Sequence, residues 1–381
     1  MKKKIFYWSP FFSDIATIKA VLNSVISIKK FSKNNFVPTI INVFGEWDEF
    51  KKIIQDNQIE IIDLRLNKYF KKKKINGFFL SRYYQIKIFF LAFLPLFFTI
   101  KKNKPDFFIL HLVTSLPLFL NYLFNFKSKI ILRISGLPKL NIIRKLFWSV
   151  VLKKVSIITT PTLATKNHLK NNFNQNQIYL VRDPIINLRE IYKKRIEIIK
   201  HKENKNIYVA IGRLTKQKNF LFLLKCFKSI VYNNPNNHLY ILGDGEDYEK
   251  LKEFIIKYNL ENNIFLEGYQ ENIYQYLLRA KSFILTSLWE DPGFVLVEAS
   301  YSNATLISSD CDNGPLEILE NGNNGFLFKS NNIDSFLKVF SEFEKSDITN
   351  IKQKKINAKK MSKKFSLFSH FTQLNKILES N

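Results

Sequence analysis

The sequence predicts an α/β protein built from two doubly wound, Rossmann-like domains. Chain length and a strand–helix alternation that begins twice lead to this expectation. At 381 residues the chain exceeds the size at which one hydrophobic core stops growing. Short β-branched or aromatic runs alternate with longer helical stretches from end to end, which is how parallel sheets covered by helices read.

In the first half the expected strands lie at 5–9, 37–44, 59–64, 106–112, 129–135, 155–162 and 177–183. The series restarts at 206–214 and continues at 238–245, 263–269, 282–288, 304–310 and 325–329. Between the two series runs a polar, charged stretch, NLREIYKKRIEIIKHKENKN at 187–206. The expected domains are therefore 1–190 and 191–365, with 366–381 as a C-terminal helix that can pack back on the first domain. No short-period repeat is visible, which excludes solenoids. In two such domains facing across a cleft, ligands bind outside the carboxyl ends of the strands, so motifs at strand ends carry the search for a site.

Apolar residues make up 46% and aromatics 15%, while 11 Gly and 11 Pro are too few for a low-complexity chain, so a folded protein is expected. The formal charge of +27 is uneven: residues 1–190 hold 32 Lys and Arg against 10 Asp and Glu. A Lys- and Asn-rich background accounts for a high total but not for this asymmetry. The field favours an anionic partner: nucleic acid, an acidic membrane surface or a phosphorylated substrate. No recognisable nucleic-acid module accompanies the charge.

Cys226 and Cys311 are too few for a disulfide framework and stand in no metal-binding spacing, which fits a reducing, cytoplasmic compartment. The basic N-terminus is interrupted early by Asp14 and no small-residue cleavage site follows, so it is expected to form the first strand. The longest apolar run, Ile88 to Ile100, contains Pro95 and falls short of the roughly 20 residues of a spanning helix. Flanked by Lys87, Lys101, Lys102 and Lys104, it reads equally as a core helix or as a helix lying on an anionic membrane.

Two segments carry chemistry. In IGRLTKQKNF (211–220) a strand ends at Gly212, Arg213 follows, and Lys218 is expected to open the next helix. A planar guanidinium, a point cation and a helix N-terminus suit a diphosphate, although two solvated surface cations would read the same in isolation. In SLWEDPGFVLVEAS (287–300) seven residues separate Glu290 from Glu298. Asp291, Pro292 and Gly293 form a turn, the helix begins near Phe294, and Glu298 lies about one turn into it. A carboxylate there can accept hydrogen bonds from vicinal hydroxyls, and Gly293 permits close backbone approach.

Together these segments resemble the Gly-Arg…Lys and Glu-x7-Glu motifs of the retaining family 4, or group 1, glycosyltransferases of GT-B fold. Further similar stretches are LYILGDGEDYEKL (239–251), IFLEGY (264–269) and SSDCDNGPLEILENGNNGFLF (308–328), so the resemblance covers 205–335. It implies that Arg213 and Lys218 neutralise the donor diphosphate and that Glu298 holds the ribose. Glu290 would contact the transferred sugar, the backbone at Gly293 and Phe294 would meet sugar or phosphate, and Tyr269 would meet the base, where a core tyrosine is the other reading. His111, at a strand end in KPDFFILHLVTSLP, aligns with a histidine that faces the donor sugar. The family's second histidine is here Ile109.

The resemblance further implies a hexosyltransferase using a nucleotide-diphosphate sugar as co-substrate, with no cofactor or metal, and with retention of anomeric configuration. A lipid-linked glycan or lipopolysaccharide or capsule intermediate is the expected acceptor, and the inner face of a bacterial membrane the expected place. Nucleic acid is not an expected partner. Asp310-Cys311-Asp312 spells an Asp-x-Asp metal motif but falls in a loop, and Gly243-Asp244-Gly245 reads as a tight turn. Sugar-nucleotide epimerases and phosphorylases share the two-domain fold; the motif pair argues against both. Arg213 and Lys218 are expected at the mouth of the site, replaceable with little loss of folding.

Overall fold

A computed structural model of the chain describes residues 2–12, 16–70, 78–137, 142–173, 177–196 and 205–380. It separates into two units, Met1–Pro184 with Leu367–Asn381, and Ile185–Ser366. The division expected near residue 190 thus falls at Pro184. The cause is backbone pairing: the N–H groups of Ile185 and Ile186 both donate to the Phe365 carbonyl, at 2.9 and 3.0 Å, and Ile186 bridges to Ser366. The polar stretch read as a separator holds a helix at Leu188–Ile196, and residues 197–204 lie outside the described residues.

Unit 1 runs β1 (Lys3–Trp8), α1 (Ala16–Phe31), β2 (Phe36–Asn42), α2 (Lys51–Asp56), β3 (Glu60–Asp63), α3 (Phe78–Leu91), α4 (Phe93–Asn103), β4 (Phe107–Leu110), α5 (Ser115–Phe124), β5 (Lys129–Arg133), α6 (Ile142–Val151), β6 (Ile157–Thr160), α7 (Leu163–Asn172) and β7 (Ile178–Leu180). Its parallel sheet has the order β3-β2-β1-β4-β5-β6-β7. The chain therefore reverses its direction of winding between β1 and β4. Both faces of the central strands are buried, as their near-continuous apolar runs require: Phe6, Trp8, Phe108 and Leu110 meet α3 to α6 on one side, and Ile5, Tyr7, Phe107 and Ile109 meet α1 on the other.

Unit 2 runs α8 (Leu188–Ile196), β8 (Asn206–Ile211), α9 (Phe220–Asn233), β9 (Asn237–Leu242), α10 (Tyr248–Lys257), β10 (Ile264–Leu266), α11 (Tyr274–Leu277), β11 (Ser282–Leu285), α12 (Phe294–Tyr301), β12 (Thr305–Ser309), α13 (Pro315–Ile318), β13 (Phe326–Phe328), α14 (Ile333–Lys345) and α15 (Ile348–Lys363). Its parallel sheet has the order β10-β9-β8-β11-β12-β13, so the reversal lies between β8 and β11. All thirteen strands expected from the sequence are present.

The last helix, α16 (Leu367–Glu379), belongs to unit 1 and packs on α1, with Phe31 meeting Phe368 and Phe371 at ring separations of 5.3 and 5.9 Å. Its His370 Nδ1–H donates to the Arg182 carbonyl at 2.7 Å. The Nε2 accepts from Ser24 Oγ at 2.8 Å, which in turn accepts from the Tyr7 hydroxyl at 2.9 Å. Burial is the main reason that the His370 value falls to about 4, so the ring is neutral in this chain of bonds.

The run Ile88–Ile100 is not one helix. Pro95 lacks an N–H and its ring opposes the carbonyl of Leu91, so α3 stops there and α4 starts after Ala92 with Pro95 in its first turn. The two helices meet at a 51° bend. Ile88, Ala92, Leu96 and Ile100, spaced by four, are buried in the core. Among the described residues no single helix is long and apolar enough to cross a membrane.

Candidate active site

Residues that leave the sheet at the reversal of winding are those a ligand can reach, because neighbouring connections there part to opposite faces. In unit 2 the two loops concerned are Gly212–Asn219, after β8, and Thr286–Gly293, after β11. They are the two segments singled out by sequence.

The first loop is held tightly against its neighbours. A Cβ at Gly243 would stand 2.0 Å from the Gly212 carbonyl oxygen, and Gly243 itself has φ +140° and donates its N–H to the Gly268 carbonyl at 2.7 Å. Gly243-Asp244-Gly245 is therefore a packing turn. Lys218 sits in the turn before α9 rather than opening it; the helix begins at Phe220 after Asn219 adopts φ +55°. That left-handed residue ends the turn and delays the helix.

The second loop is fixed from both sides. Leu288 N–H donates to the Gln217 carbonyl at 2.8 Å, and the Gln217 side chain donates to the Trp289 carbonyl at 2.9 Å. On the other side Trp289 bridges Asp312, and the Asn313 side chain donates to Asp291 at 2.5 Å. Glu290, only 4% exposed, accepts from Lys218 Nζ and from Ser287 Oγ, each at 2.5 Å. The Lys218 side chain is itself 13% exposed. Lys218 is therefore not a solvated surface cation: its stem crosses Gly212 and the ammonium is turned inward by the buried carboxylate.

Arg213 is exposed, and among the described residues its guanidinium has no hydrogen-bond or ion-pair partner. With Lys218 neutralised by Glu290, Arg213 and Lys216 are the exposed cations of the loop without a partner among the described residues, and Arg213 is the one adjacent to Gly212. Gly293, at φ +88°, starts α12, and neither this start nor that of α9 carries a side-chain cap, so their first N–H groups remain available to an anion. Phe294 is the first residue of α12, half-buried, and Glu298 is the fifth, buried in the same helix. Tyr269 is 74% exposed after the turn at Gly268, its N–H bound to Asp244 at 3.2 Å, so it is not a core tyrosine. Asp310 accepts from the Ser330 N–H at 2.7 Å, and Cys311 is buried with its thiol pushed up to about 12, chiefly by burial.

Unit 1 repeats the geometry. His111 follows β4 and Ser9 follows β1, on either side of the winding reversal, and the His111 N–H donates to the Trp8 carbonyl at 3.0 Å. The His111 ring stacks on Tyr7 at 6.0 Å. Burial first, then the Arg133 charge, holds its value well below the ordinary histidine range. Its Nε2 and the Ser9 Oγ are both buried without a hydrogen-bond partner among the described residues. Sequence reading missed Ser9, Ser287 and Gln217: each is an ordinary polar residue whose place at a strand end becomes informative only with the strand order. It also missed the buried pair of Arg133 and Asp183, joined by the guanidinium Nε at 3.1 Å and by a shorter bond from Nη2.

Residues 192–362 match the family described as glycosyl transferases group 1. The match takes in most of unit 2 and less than half of the chain. Similar curated proteins include the poly(glycerol-phosphate) alpha-glucosyltransferase of Bacillus subtilis, 33% identical over 42% of this chain and 23% of that protein. The UDP-Gal:alpha-D-GlcNAc-diphosphoundecaprenol alpha-1,3-galactosyltransferase of Escherichia coli is 32% identical over 45% of this chain and 44% of its own. The chain thus spans less than half the length of these relatives.

Solved structures align over the whole chain. A glycosyltransferase of Rickettsia africae superposes with TM-score 0.74 at 16% identity, covering 100% of this chain and 98% of that one. Anabaena HepE in complex with UDP gives 0.71 at 15%, covering 100% of both. The fold is GT-B. At these identities the likeness speaks for the fold alone.

Proposed function

We propose that the chain is a group 1 glycosyltransferase that moves a hexose from a nucleotide-diphosphate sugar to a saccharide acceptor, with retention of anomeric configuration. The observation that carries this reading is the junction of the two motif loops at the winding reversal of unit 2, where the Lys218 ammonium meets the Glu290 carboxylate beside two uncapped helix starts. Unit 2 is the donor unit in this reading and unit 1 the acceptor unit.

The nucleoside diphosphate is already a good leaving group, so the protein's task is to stabilise charge on the departing β-phosphate. Arg213 does so as an unpaired cation, and Lys218 with the ammonium hydrogens that Glu290 leaves free. The starts of α9 and α12 add N–H donors. These groups supply the positive charge without a metal, and EDTA should leave transfer intact. Glu298 takes the ribose hydroxyls, Tyr269 the base, and Glu290 and the backbone at Gly293 and Phe294 the sugar; His111, at the end of β4 in unit 1, is assigned to the sugar by the family resemblance alone. The bond from the anomeric carbon to phosphate oxygen breaks, the acceptor hydroxyl oxygen forms the new bond on the same face, and its proton goes to the departing phosphate.

The acceptor is a lipid-linked glycan or a lipopolysaccharide or capsule intermediate at the inner face of a bacterial membrane. A relative whose name specifies a diphosphoundecaprenol acceptor supports this class, as does the similarity to the lipopolysaccharide 1,6-galactosyltransferase of E. coli, 29% identical over 46% of this chain and 48% of that protein. The test is a panel of UDP- and GDP-hexoses with undecaprenyl-diphosphate sugars, followed by NMR of the new anomeric centre. Product with inverted configuration, or no nucleotide release from any donor, would refute the reading.

A further inference from the structure

We infer that the outer side of unit 1 formed by α3, α4, α5 and α6 is a docking surface for an anionic lipid bilayer, with apolar side chains that enter the acyl boundary and lysines that bind the headgroups. The proposed acceptor gives a reason for such a surface, but the inference stands on unit 1 alone.

Helices α3 and α4 carry apolar side chains on two opposite faces. In an ordinary surface helix the face opposite the core is charged. Here Ile88, Ala92, Leu96 and Ile100 fill the core, yet the opposite stripe is Ile86, Phe90, Leu94 and Phe98, again spaced by four and 58% to 72% exposed. The stripe continues through the bend between α3 and α4. On α6, Ile142 and Leu146 repeat the spacing at 79% and 63% exposure, and α5, which packs between these helices, ends in exposed Tyr122, Leu123 and Phe124. Helices α3 to α6 cover the same side of the sheet. Contiguous exposed apolar surface of this kind marks an interaction site.

Charge selects the occupant. Residues 78–154 contain 13 Lys and Arg but a single acidic residue, Asp106. Lys101 and Lys102 end α4, and Lys145, Lys153 and Lys154 lie on or just after α6, all exposed. A second copy would bring this same basic face against itself. A bilayer with anionic headgroups satisfies both features at once: lysine stems lie along the apolar surface while their ammonium groups reach the phosphates. Because one face of α3 and α4 is built into the core, the helices lie in the interface and do not cross it.

The experiment is flotation of the full chain with vesicles of phosphatidylglycerol and phosphatidylethanolamine, compared with phosphatidylcholine alone. The expected result is binding to the anionic vesicles, weakened by salt. Phe90→Gln with Phe98→Gln should reduce it by roughly tenfold or more, and Lys101→Gln with Lys102→Gln should reduce it mainly at low salt. Failure of the native chain to float, or undiminished binding by both double variants, would overturn the inference. So would a native dimer in size-exclusion chromatography that the phenylalanine variant converts to monomer, since that makes a second copy the occupant. Calorimetric titration of the same variants with UDP reports on the donor unit separately, so loss of vesicle binding with UDP affinity intact leaves the proposed function standing.

Discussion

Lys218 Nζ lies 2.5 Å from Glu290 Oε1, and both side chains are largely buried. This pair joins the loop after β8 to the loop after β11. Removing one partner of a buried ion pair leaves an uncompensated charge, which costs about 3–5 kcal/mol. Lys218→Met should therefore lower the stability of unit 2 by about 3 kcal/mol in denaturant unfolding. The double variant with Glu290→Gln should recover part of that loss, because no charge then remains unpaired. Additive losses would mean that the pair is not coupled.

Arg213 should behave differently. It is exposed and has no partner among the described residues, so Arg213→Ala should change stability by no more than about 0.5 kcal/mol. Turnover should nonetheless fall by about 2–4 kcal/mol in transition-state stabilisation, as for other charge-stabilising groups in sites that exclude water. Thermal unfolding beside a donor-turnover assay separates the two effects.

The strands were legible because parallel strands buried on both faces read as uninterrupted apolar runs, and Gly212, Arg213, Glu290 and Glu298 were legible because chemistry constrains their types. The Lys218–Glu290 pair was not, since 72 residues separate its members and only the strand order places β8 beside β11. The double-sided apolarity of α3 and α4 hid its own meaning: a helix apolar all round reads as core, and only burial distinguishes Leu96 from Leu94. The boundary at Pro184 was displaced because Ile185 and Ile186 pair with Phe365, far along the chain.

The site turns can be tested by two glycine replacements. Gly243→Ala places a Cβ against the Gly212 carbonyl in a left-handed backbone, where neither side can yield, and should destabilise unit 2 by well over about 1 kcal/mol. Gly293→Ala meets nothing closer than 3.5 Å, so only its φ of +88° opposes it, at a cost of about 1–2 kcal/mol. Comparable midpoints for the two variants would argue against the close approach of the loops.

His370 fixes a pH dependence. Its value in the folded chain is about 4, below the ordinary value of about 6.5 in an unfolded chain. Between these limits the unfolded chain binds a proton that the folded chain does not, so this contribution is complete above about pH 6.5 and is lost as pH falls toward 4. Glu46, raised to about 7 by burial, acts in the opposite sense between its ordinary value and 7, and Arg133 and Asp183 also face His370. The comparison with His370→Gln isolates the histidine: the variant should lack about 3 kcal/mol of the acid-side loss. Parallel stability curves would mean that the ring of α16 is not buried neutral against Ser24 of α1.

In the proposed function, unit 2 grips a nucleoside diphosphate by its ribose through Glu298, and calorimetric titration of Glu298→Gln with UDP and GDP reads that contact. The substitution keeps the shape of the side chain in α12 but removes its charge, weakening charge-assisted hydrogen bonds of about 1.5–3 kcal/mol each. The predicted result is at least a tenfold rise in Kd for whichever nucleotide the native chain binds, with cooperative unfolding retained. Equal affinities for the native chain and Glu298→Gln would contradict it.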